Sequence, residues 1–409
     1  MFNNIFCFSI ITLLSVSAIS QSDSVRFAVF GDYGVNNSNE QSVADLVKSW
    51  SPDFIITAGD NSYGSTAIDD NVGKYFSDYI GNYTGSYGSG SPTNQFFPSI
   101  GNHGYSDGGG ISAYLSYFTL PGAGVASSNT SGKEHYYDFV QGPVHFFALN
   151  SNSQESDGNN SSSTQANWLQ TQLSASTAMY KIVYMHHPPY SSSSNHGSQT
   201  VMQWPFEDWG ATAIFAGHDH TYERILRDDN GDSKIVPYFV TGLGGRSRYG
   251  FPSSDFVSGS QVRYNDNFGT MLVDATIEYI IFKFYSIAGG AFGTLIDSFK
   301  INRTSVGVND DEVIILPGAF SLRQNYPNPF NLMTTIEYNL PTKSHVEIRI
   351  YNMLGQKVRT LIDETKSVGK YNTTWDGTNV FGVPVASGVY LYRFQAEDHI
   401  ETKKMLLLK

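Results

Sequence analysis

Short apolar runs of strand length recur along residues 24–303, and most of them end in glycine and polar residues. VRFAVF (25–30) runs into Gly-Asp, and FIIT (54–57) runs into Ala-Gly-Asp. Further runs of this kind are QFFPSI (95–100), VHFFAL (144–149), KIVYM (181–185) and TAIFA (212–216). Such runs, bounded by turn residues, are typical of buried strands. The pattern therefore predicts a sheet whose strand ends carry polar side chains on loops.

The segment between the first two runs has a helical pattern. Val43, Leu46, Val47 and Trp50 recur at the spacing i, i+3, i+4, i+7, so they share one helical face. A layered α/β architecture follows, in which a single sheet edge would bring the polar residues together. From residue 235 to residue 289 the apolar runs continue without a helical pattern, which predicts a β layer in this half.

The last ninety or so residues have a different character. HVEIRIY (345–351) and GVYLYRFQA (388–396) alternate apolar and polar residues between turns, as in a small β-sandwich. A polar, acidic stretch precedes them. We therefore predict a first domain over residues 24–303, a linker over 304–316 and a small all-β domain over 317–409.

The first twenty residues are apolar and end in small residues, with Ala18 and Ser20 where a signal peptidase prefers them. Residues 1–20 therefore predict a signal peptide, although they carry no Lys or Arg, so an uncleaved anchor stays open. Cys7 is the only cysteine, so a processed chain would have no disulfide. The net charge of −12 argues against nucleic acid as a partner.

The sequence GHDHTYER (217–224) places two of the ten histidines one residue apart. Imidazole is the commonest metal ligand in proteins. The residues that follow the other apolar runs are also of metal-binding types. The candidates are Asp32, Asp60, Tyr63, Asn102, His103, His186, His218 and His220. Seven of them suit a two-metal centre, in which two ions about 3.5 to 4 Å apart clamp the oxygens of an in-line displacement.

Five ordered motifs resemble the purple acid phosphatases, a branch of the calcineurin-like metallophosphoesterases. They are GD-x-G (31–34), GD-x-x-Y (59–63), GNH (101–103), V-x-x-H (183–186) and GH-x-H (217–220). The resemblance spans roughly residues 24–303. It implies an α/β fold, a four-layer metallophosphoesterase β-sandwich flanked by helices.

The resemblance also implies which residues bind each metal ion. One ion is held by Asp32, Tyr63 and His220, the other by Asn102, His186 and His218, and Asp60 bridges the two. With the bridging Asp60 counted, the first ion has two carboxylates and a phenolate, which favour Fe(III) at the Tyr63 site. The second has mostly neutral donors, which suit a divalent ion, Fe, Zn or Mn.

The mechanism that the resemblance implies is attack on phosphorus by a metal-bound hydroxide. His103 and His196 lie where the family has histidines beside the substrate phosphate, and either would protonate the leaving alkoxide. Gly104 departs from the family, which usually has an acidic residue after GNH. Residues 222–224 are expected to support the loop rather than to contact substrate.

These observations predict a secreted di-metal acid phosphatase that hydrolyses small phosphomonoesters. Two other functions stay open. A phosphodiesterase or nucleotidase would use the same metal core with different pocket walls. A non-catalytic surface binding protein would keep the fold without the activity.

The C-terminal module resembles the sorting domain of the type nine secretion system. The resemblance rests on LRQNYPNPFNLMTTIEYNLP (322–341), VEIRIYNMLGQKVRTL (346–361) and the closing KKMLLLK (403–409). It implies that secretion machinery at the outer membrane is a partner, and that the protein is secreted or held at the cell surface. A carbohydrate-binding or adhesive β-sandwich is the alternative. The sequence leaves the physiological substrate and the oligomeric state open.

Overall fold

The computed structural model describes residues 22–65, 67–107, 109–122, 124–125, 129–303, 320–331, 333–367 and 369–408. The predicted signal peptide (1–20) and the whole of the predicted linker (304–316) lie outside these ranges, and the domain limits stay predictions. Within these ranges no helix combines the length and the apolar character that crossing a membrane requires.

Residues 24–302 contain strands with a few helices between them. The strands are β1 (Ser24–Phe30), β2 (Phe54–Thr57), β3 (Phe96–Pro98), β4 (Tyr137–Gln141), β5 (Val144–Ala148), β6 (Tyr180–Tyr184), β7 (Ala213–Ala216), β8 (Tyr222–Arg227), β9 (Val236–Thr241), β10 (Ser260–Tyr264), β11 (Gly269–Thr276), β12 (Tyr279–Ser286) and β13 (Thr294–Asn302). The α-helices are α1 (Ser38–Ser49), α2 (Lys74–Phe76), α3 (His103–Ser106), α4 (Gly110–Tyr117) and α5 (Thr164–Ala175). Tighter or wider helical turns occupy Asp69–Gly73, Ser77–Tyr79, Thr200–Met202 and Ile287–Phe292.

Two sheets contain all of these strands. The first has the order β13-β12-β11-β1-β2-β3, and the second has the order β10-β8-β9-β7-β6-β5-β4. Strands β1, β2 and β3 run parallel to one another, as do β5, β6, β7 and β9. Parallel neighbours end at the same edge of their sheet, so each sheet gathers its following loops at one edge.

Aromatic side chains fill the space between the sheets. The Phe27 ring lies 5.2 Å from that of Phe54 and 5.0 Å from that of Phe146, and the Phe97 and Phe139 rings stack at 3.9 Å. These contacts join β1, β2 and β3 of the first sheet to β4 and β5 of the second. Rings of this size dominate the burial energy of a core and hold the two sheets face to face.

Helices cover the outer faces. Val43, Leu46 and Val47 of the predicted stripe are buried on α1, whereas Trp50 is half-buried at its C-terminal cap. The side chain of Asn37 caps the helix by accepting from two backbone N–H groups of its first turn. Leu169 and Leu173 of α5 pack in a second core with Val183 of β6. The four-layer α/β sandwich expected from the sequence is confirmed.

The expectation for the second half is wrong in one respect. Strands β8 to β10 extend the second sheet, and β11 to β13 extend the first by antiparallel pairing with β1. The late strands therefore complete both sheets and do not form a layer of their own. Apolar runs identify strands, but they do not say which neighbour a strand pairs with.

Residues 320–408 form an all-β unit, also as expected. Its strands are β14 (Ser321–Leu322), β15 (Thr334–Leu340), β16 (Ser344–Asn352), β17 (Lys357–Lys366), β18 (Gly369–Trp375), β19 (Gly388–Ala396) and β20 (His399–Leu407). They form a three-stranded sheet, β14-β15-β18, and a four-stranded sheet, β17-β16-β19-β20. Tyr338, Ile348 and Trp375 are buried in the core that the two sheets share.

Candidate metal centre

The predicted ligands come from two sheets. Asp32, Asp60 and Asn102 follow β1, β2 and β3 of the first sheet. His186 and the pair in GHDH follow β6 and β7 of the second. The expectation of a single sheet edge is therefore wrong, because the sandwich brings two edges together and the ligands face each other across it.

The backbone at this junction is unusual. Asp32, Asp60 and His218 have φ values of 58°, 49° and 69°, in the left-handed region that residues other than glycine rarely adopt. Such conformations cost about 1 to 3 kcal/mol each and cluster at functional sites. Here they turn each side chain back towards the junction.

The glycines of the motifs allow the two sheets to approach. A Cβ atom on Gly59 would lie 2.5 Å from Nδ1 of His186, and one on Gly217 would lie 2.6 Å from Oδ2 of Asp32. Real Cβ atoms do not come this close to other heavy atoms. The Gly-Asp and Gly-His pairs in the sequence therefore reflect a close approach of the strand ends.

Asp32, Tyr63 and His220 form the first group. The phenol of Tyr63 donates to Asp32 Oδ1 at 3.2 Å and lies 3.5 Å from His220 Nε2, which itself lies 3.4 Å from Asp32 Oδ1. All three side chains are buried. His220 Nδ1 lies 2.7 Å from the hydroxyl of Ser247, so its other nitrogen faces the group.

Asp60, Asn102, His186 and His218 form the second group. His186 Nε2 lies 2.9 Å from Asn102 Oδ1, 3.2 Å from His218 Nδ1 and 3.3 Å from Asp60 Oδ2. His186 Nδ1 donates to the carbonyl of Ala58 at 2.9 Å, which fixes the orientation of the ring.

The two groups adjoin. Ligand atoms of Asp32, Asp60 and His186 all lie within 4.8 Å of one another. The backbone N–H of His218 also donates to Asp32 Oδ2 at 2.8 Å. The structure therefore gathers all seven predicted ligands in one cluster.

The electrostatics of the cluster fit bound cations. Burial raises the pKa of the Tyr63 phenol well above its usual value, and the carboxylates of Asp32 and Asp60 raise it further. Burial lowers the pKa of His186, but Asp60 outweighs it and raises that pKa to about 9. The buried carboxylates of Asp32 and Asp60 thus favour a positive charge in the cluster. Oxygen and imidazole donors are also common ligands of first-row metal ions. The residues of the cluster therefore fit bound metal cations.

His103 lies beside the cluster. Its backbone N–H donates to Asp60 Oδ1 at 3.0 Å, and its Nδ1 lies 2.6 Å from Asp107 Oδ2. Asp107 also accepts from the backbone N–H of Gly64 at 2.7 Å, on the loop that carries Tyr63. Asp107, four residues after His103, thus places a carboxylate beside the His103 ring, although Gly104 provides none. The i, i+4 spacing from His103 to Asp107, the residue that directly follows α3, was the signal that could have identified it.

His196 also lies at the cluster. Its ring stacks on that of His218 with centroids 4.1 Å apart and remains exposed. The buried carboxylate of Asp219 accepts from the backbone N–H groups of His196 and Gly197 at 3.2 and 3.0 Å. Glu223 accepts from the backbone N–H of Ser192 at 2.7 Å. The serine-rich segment is therefore held by the GHDHTYER strand end.

Two further features adjoin the cluster, and the second of them, a loop, was missed from the sequence. His187 lies with its ring centroid 4.5 Å from that of His218, and burial lowers its pKa to about 3, so it is neutral. Residues 242–250 form the loop after β9, in which Tyr249 stacks on His220 with centroids 4.1 Å apart. The signal for this loop was GLGG directly after an apolar run, a pattern shared with the other strand ends.

Two family models match the chain. Residues 25–222 match the family model for calcineurin-like phosphoesterases, and residues 324–408 match the model for the secretion system C-terminal sorting domain. Human tartrate-resistant acid phosphatase type 5 is 25% identical over 259 residues, which cover 57% of this chain and 76% of that protein. Purple acid phosphatase 21 of Arabidopsis thaliana is 27% identical over 233 residues, covering 54% of this chain and 50% of that protein.

Solved structures share the fold. A purple acid phosphatase from yellow lupin seeds superposes with a TM-score of 0.54 at 15% identity, covering 70% of this chain and 55% of that one. GAP50 of Plasmodium, an anchor in the inner membrane complex, superposes with a TM-score of 0.51 at 20% identity, covering 69% and 90%. Identities this low show the fold alone.

The sorting domain assigns the protein to secretion and the cell surface, with the type nine secretion machinery as a partner. Residues 25–222 belong to the calcineurin-like phosphoesterases, and the chain is a metal-dependent phosphoric ester hydrolase with a secretion system C-terminal sorting domain.

Proposed function

We propose that the protein is a di-metal acid phosphatase that hydrolyses small phosphomonoesters. The observation that carries this proposal is the position of Tyr63, whose phenol lies 3.2 Å from Asp32 Oδ1 and 3.5 Å from His220 Nε2. A buried tyrosine among carboxylates is an unfavourable site for a phenolate unless a strongly charged cation lies beside it. The similarity to acid phosphatases of human and plant origin supports the same function.

In this proposal the two groups of residues hold one metal ion each. Asp32, Tyr63 and His220 would hold Fe(III), Asn102, His186 and His218 would hold a divalent Fe, Zn or Mn ion, and Asp60 would contact both. When bound, the ions supply Lewis acidity towards the phosphoryl oxygens and lower the pKa of water.

The remaining steps belong to side chains of this chain. Asp107 holds the proton of His103 on Nδ1, so the Nε2 atom of His103 is directed away from the carboxylate. The exposed His196 ring, stacked on His218, can reach a substrate from the solvent side. We assign these two histidines, when protonated on both ring nitrogens, to phosphate binding and to transfer of the Nε2 proton to the leaving alkoxide.

Export would proceed in two stages. Residues 1–20 would direct the chain across the inner membrane and be removed. The domain over residues 317–409 would then be read by the secretion machinery, with residues 304–316 as the linker from the catalytic domain (24–303).

The test is hydrolysis of a matched aryl phosphomonoester and phosphodiester by the purified full chain between about pH 4 and pH 9. We expect preference for the monoester and an optimum below neutrality. Preference for the diester would instead indicate a phosphodiesterase or nucleotidase. Absence of hydrolysis of either ester by metal-loaded protein would favour the non-catalytic surface protein.

A further inference from the structure

We propose that Arg246 binds the phosphate group of the substrate and thereby selects dianionic monoesters. Arg246 lies in the loop 242–250, and its guanidinium carbon lies 5.0 Å from the centroid of the Tyr63 ring. Among the contacts of the described residues, it is the one lysine or arginine side chain that touches a member of the seven-residue cluster. The inference rests on the proposed phosphatase function and adds a residue that recognises the substrate.

Backbone hydrogen bonds hold the loop that carries Arg246 on both sides of that residue. Its own N–H donates to the carbonyl of Asp32 at 3.1 Å, and the N–H of Gly244 donates to that of Gly31 at 3.0 Å. After it, the N–H of Tyr249 donates to the carbonyl of His220 at 2.9 Å. The loop is therefore bound to the strand ends of both sheets, and the side chain starts from a defined position beside the cluster.

The side chain itself is exposed and unpaired. Within the described residues Arg246 forms no ion pair, whereas Arg224 is paired with Asp297 and Arg227 with Asp229. An unpaired cation at the mouth of an anion-binding site is available for a ligand. The planar guanidinium can donate two parallel hydrogen bonds to phosphate oxygens, which a lysine cannot do.

The position also defines the substrate class. Arg246 contacts Tyr63 at the side of the first group of ligands, whereas His196 stacks on His218 at the side of the second group. A monoester has three non-bridging oxygens and two negative charges, so it can reach both sides and the metal ions at once. A diester has one fewer such oxygen and one fewer charge, so it gains less from the arginine.

The experiment compares Arg246→Met and Arg246→Lys with the wild-type full chain, loaded with metal. Arg227→Met is the matched control, because Arg227 also packs on a tyrosine ring, at 4.1 Å from the centroid of Tyr190, at the far end of β8. Calorimetric titration with inorganic phosphate gives the dissociation constant without turnover. Hydrolysis of the matched aryl monoester and diester gives the selectivity.

We expect Arg246→Met to weaken phosphate binding about tenfold and to lower kcat/KM for the monoester by a similar factor. The diester should lose less than about threefold, and Arg246→Lys should be intermediate. Arg227→Met should bind phosphate as the wild type does.

Unchanged phosphate affinity in Arg246→Met would overturn the inference, and so would equal losses for the two esters. If Arg246→Met does not fold, Arg246→Lys provides the test. Wild-type phosphate affinity in Arg246→Lys would contradict two parallel hydrogen bonds from the guanidinium to the phosphate. A wild-type chain that hydrolyses neither ester but binds phosphate through Arg246 would refute the proposed function and leave the phosphate contact supported.

Discussion

Among the described residues, three groups of side chains have the composition and spacing of a metal site, and two of these groups differ sharply in their surroundings. Asp32, Asp60 and His186 are buried, and their ligand atoms lie within 4.8 Å of one another. His345, Glu347 and Asp363 on β16 and β17 meet the same distance limit, but the His345 and Asp363 side chains are 55% and 53% exposed. Residue types and spacing therefore do not distinguish the two groups.

Burial does distinguish them. Water solvates the exposed group, so its charges need no cation, and its ion pair contributes little. Burial withholds that solvation from Asp32 and Asp60, and the strand ends hold them in the left-handed region as well. Desolvated carboxylates in strained backbone conformations are typical of ligand sites, and we infer a bound cation for this group.

The largest effect is expected for Asp60→Asn. The change keeps the shape but removes the carboxylate that contacts His186 and accepts from the N–H of His103. We expect hydrolysis to fall by about a thousandfold or more, because both proposed metal sites would lose a shared ligand. The measurements are kcat and the metal content of the purified protein. Wild-type activity with two ions per chain would show that the site is misassigned.

A smaller loss is expected for Asp219→Asn. Asp219 is a positioning residue, because its carboxylate accepts from the backbone N–H groups of His196 and Gly197. We expect kcat to fall about ten- to a hundredfold with unchanged metal content. If His196 protonates the leaving group, alkyl phosphates should lose more than nitrophenyl phosphate, whose leaving group needs no proton. The exposed Asp228→Asn serves as control, and equal losses for the two esters would refute the positioning role.

A moderate effect on stability is expected from Glu40, which lies on α1 outside the cluster. Burial raises the pKa of this carboxyl to about 9, although the N–H groups of Asn36 and Val35 oppose the shift. The folded chain therefore holds a proton that the unfolded chain releases above about pH 4.5. This stabilisation is complete at acid pH and is lost as the pH rises towards 9.

We expect Tm to fall between pH 5 and pH 9, and Glu40→Gln to remove roughly 5 °C of that fall. Calorimetric scans at both pH values measure this. An identical pH dependence of Tm in the variant would contradict a buried neutral carboxyl.

The smallest effect is expected for His345→Gln in the exposed group. Its ring lies 3.1 Å from Asp363 Oδ1 in solvent, and such a pair contributes about 0 to 1 kcal/mol. Activity should change less than twofold, and Tm should change by no more than about 2 °C. Loss of one bound metal ion in this variant would show that the exposed group is a site after all.

Strands and ligand types could be predicted from the sequence because they leave local signals. An apolar run followed by Gly-Asp or Gly-His identifies a strand end and its polar side chain, as at Asp32 and His218. The sequence has no local signal for which of the two sheets a strand joins, because strand pairing depends on contacts between distant segments.

The side chains that support the site were harder to predict. Asp107, Asp219 and Ser247 act through hydrogen bonds that depend on how loops fold over the strand ends. Arg246 contacts Tyr63 only because the loop after β9 folds beside it, and the sequence carries no signal for that contact. Tertiary contacts set the conformation of loops, so the periodicity of apolar residues does not predict it.

The most direct test of a two-metal centre built from both sheets is the metal content of the purified, active full chain, measured by mass spectrometry. We predict two ions per chain, one of them iron, since the two groups of ligands adjoin through Asp60. An active preparation with one ion per chain, or with none, would contradict the account.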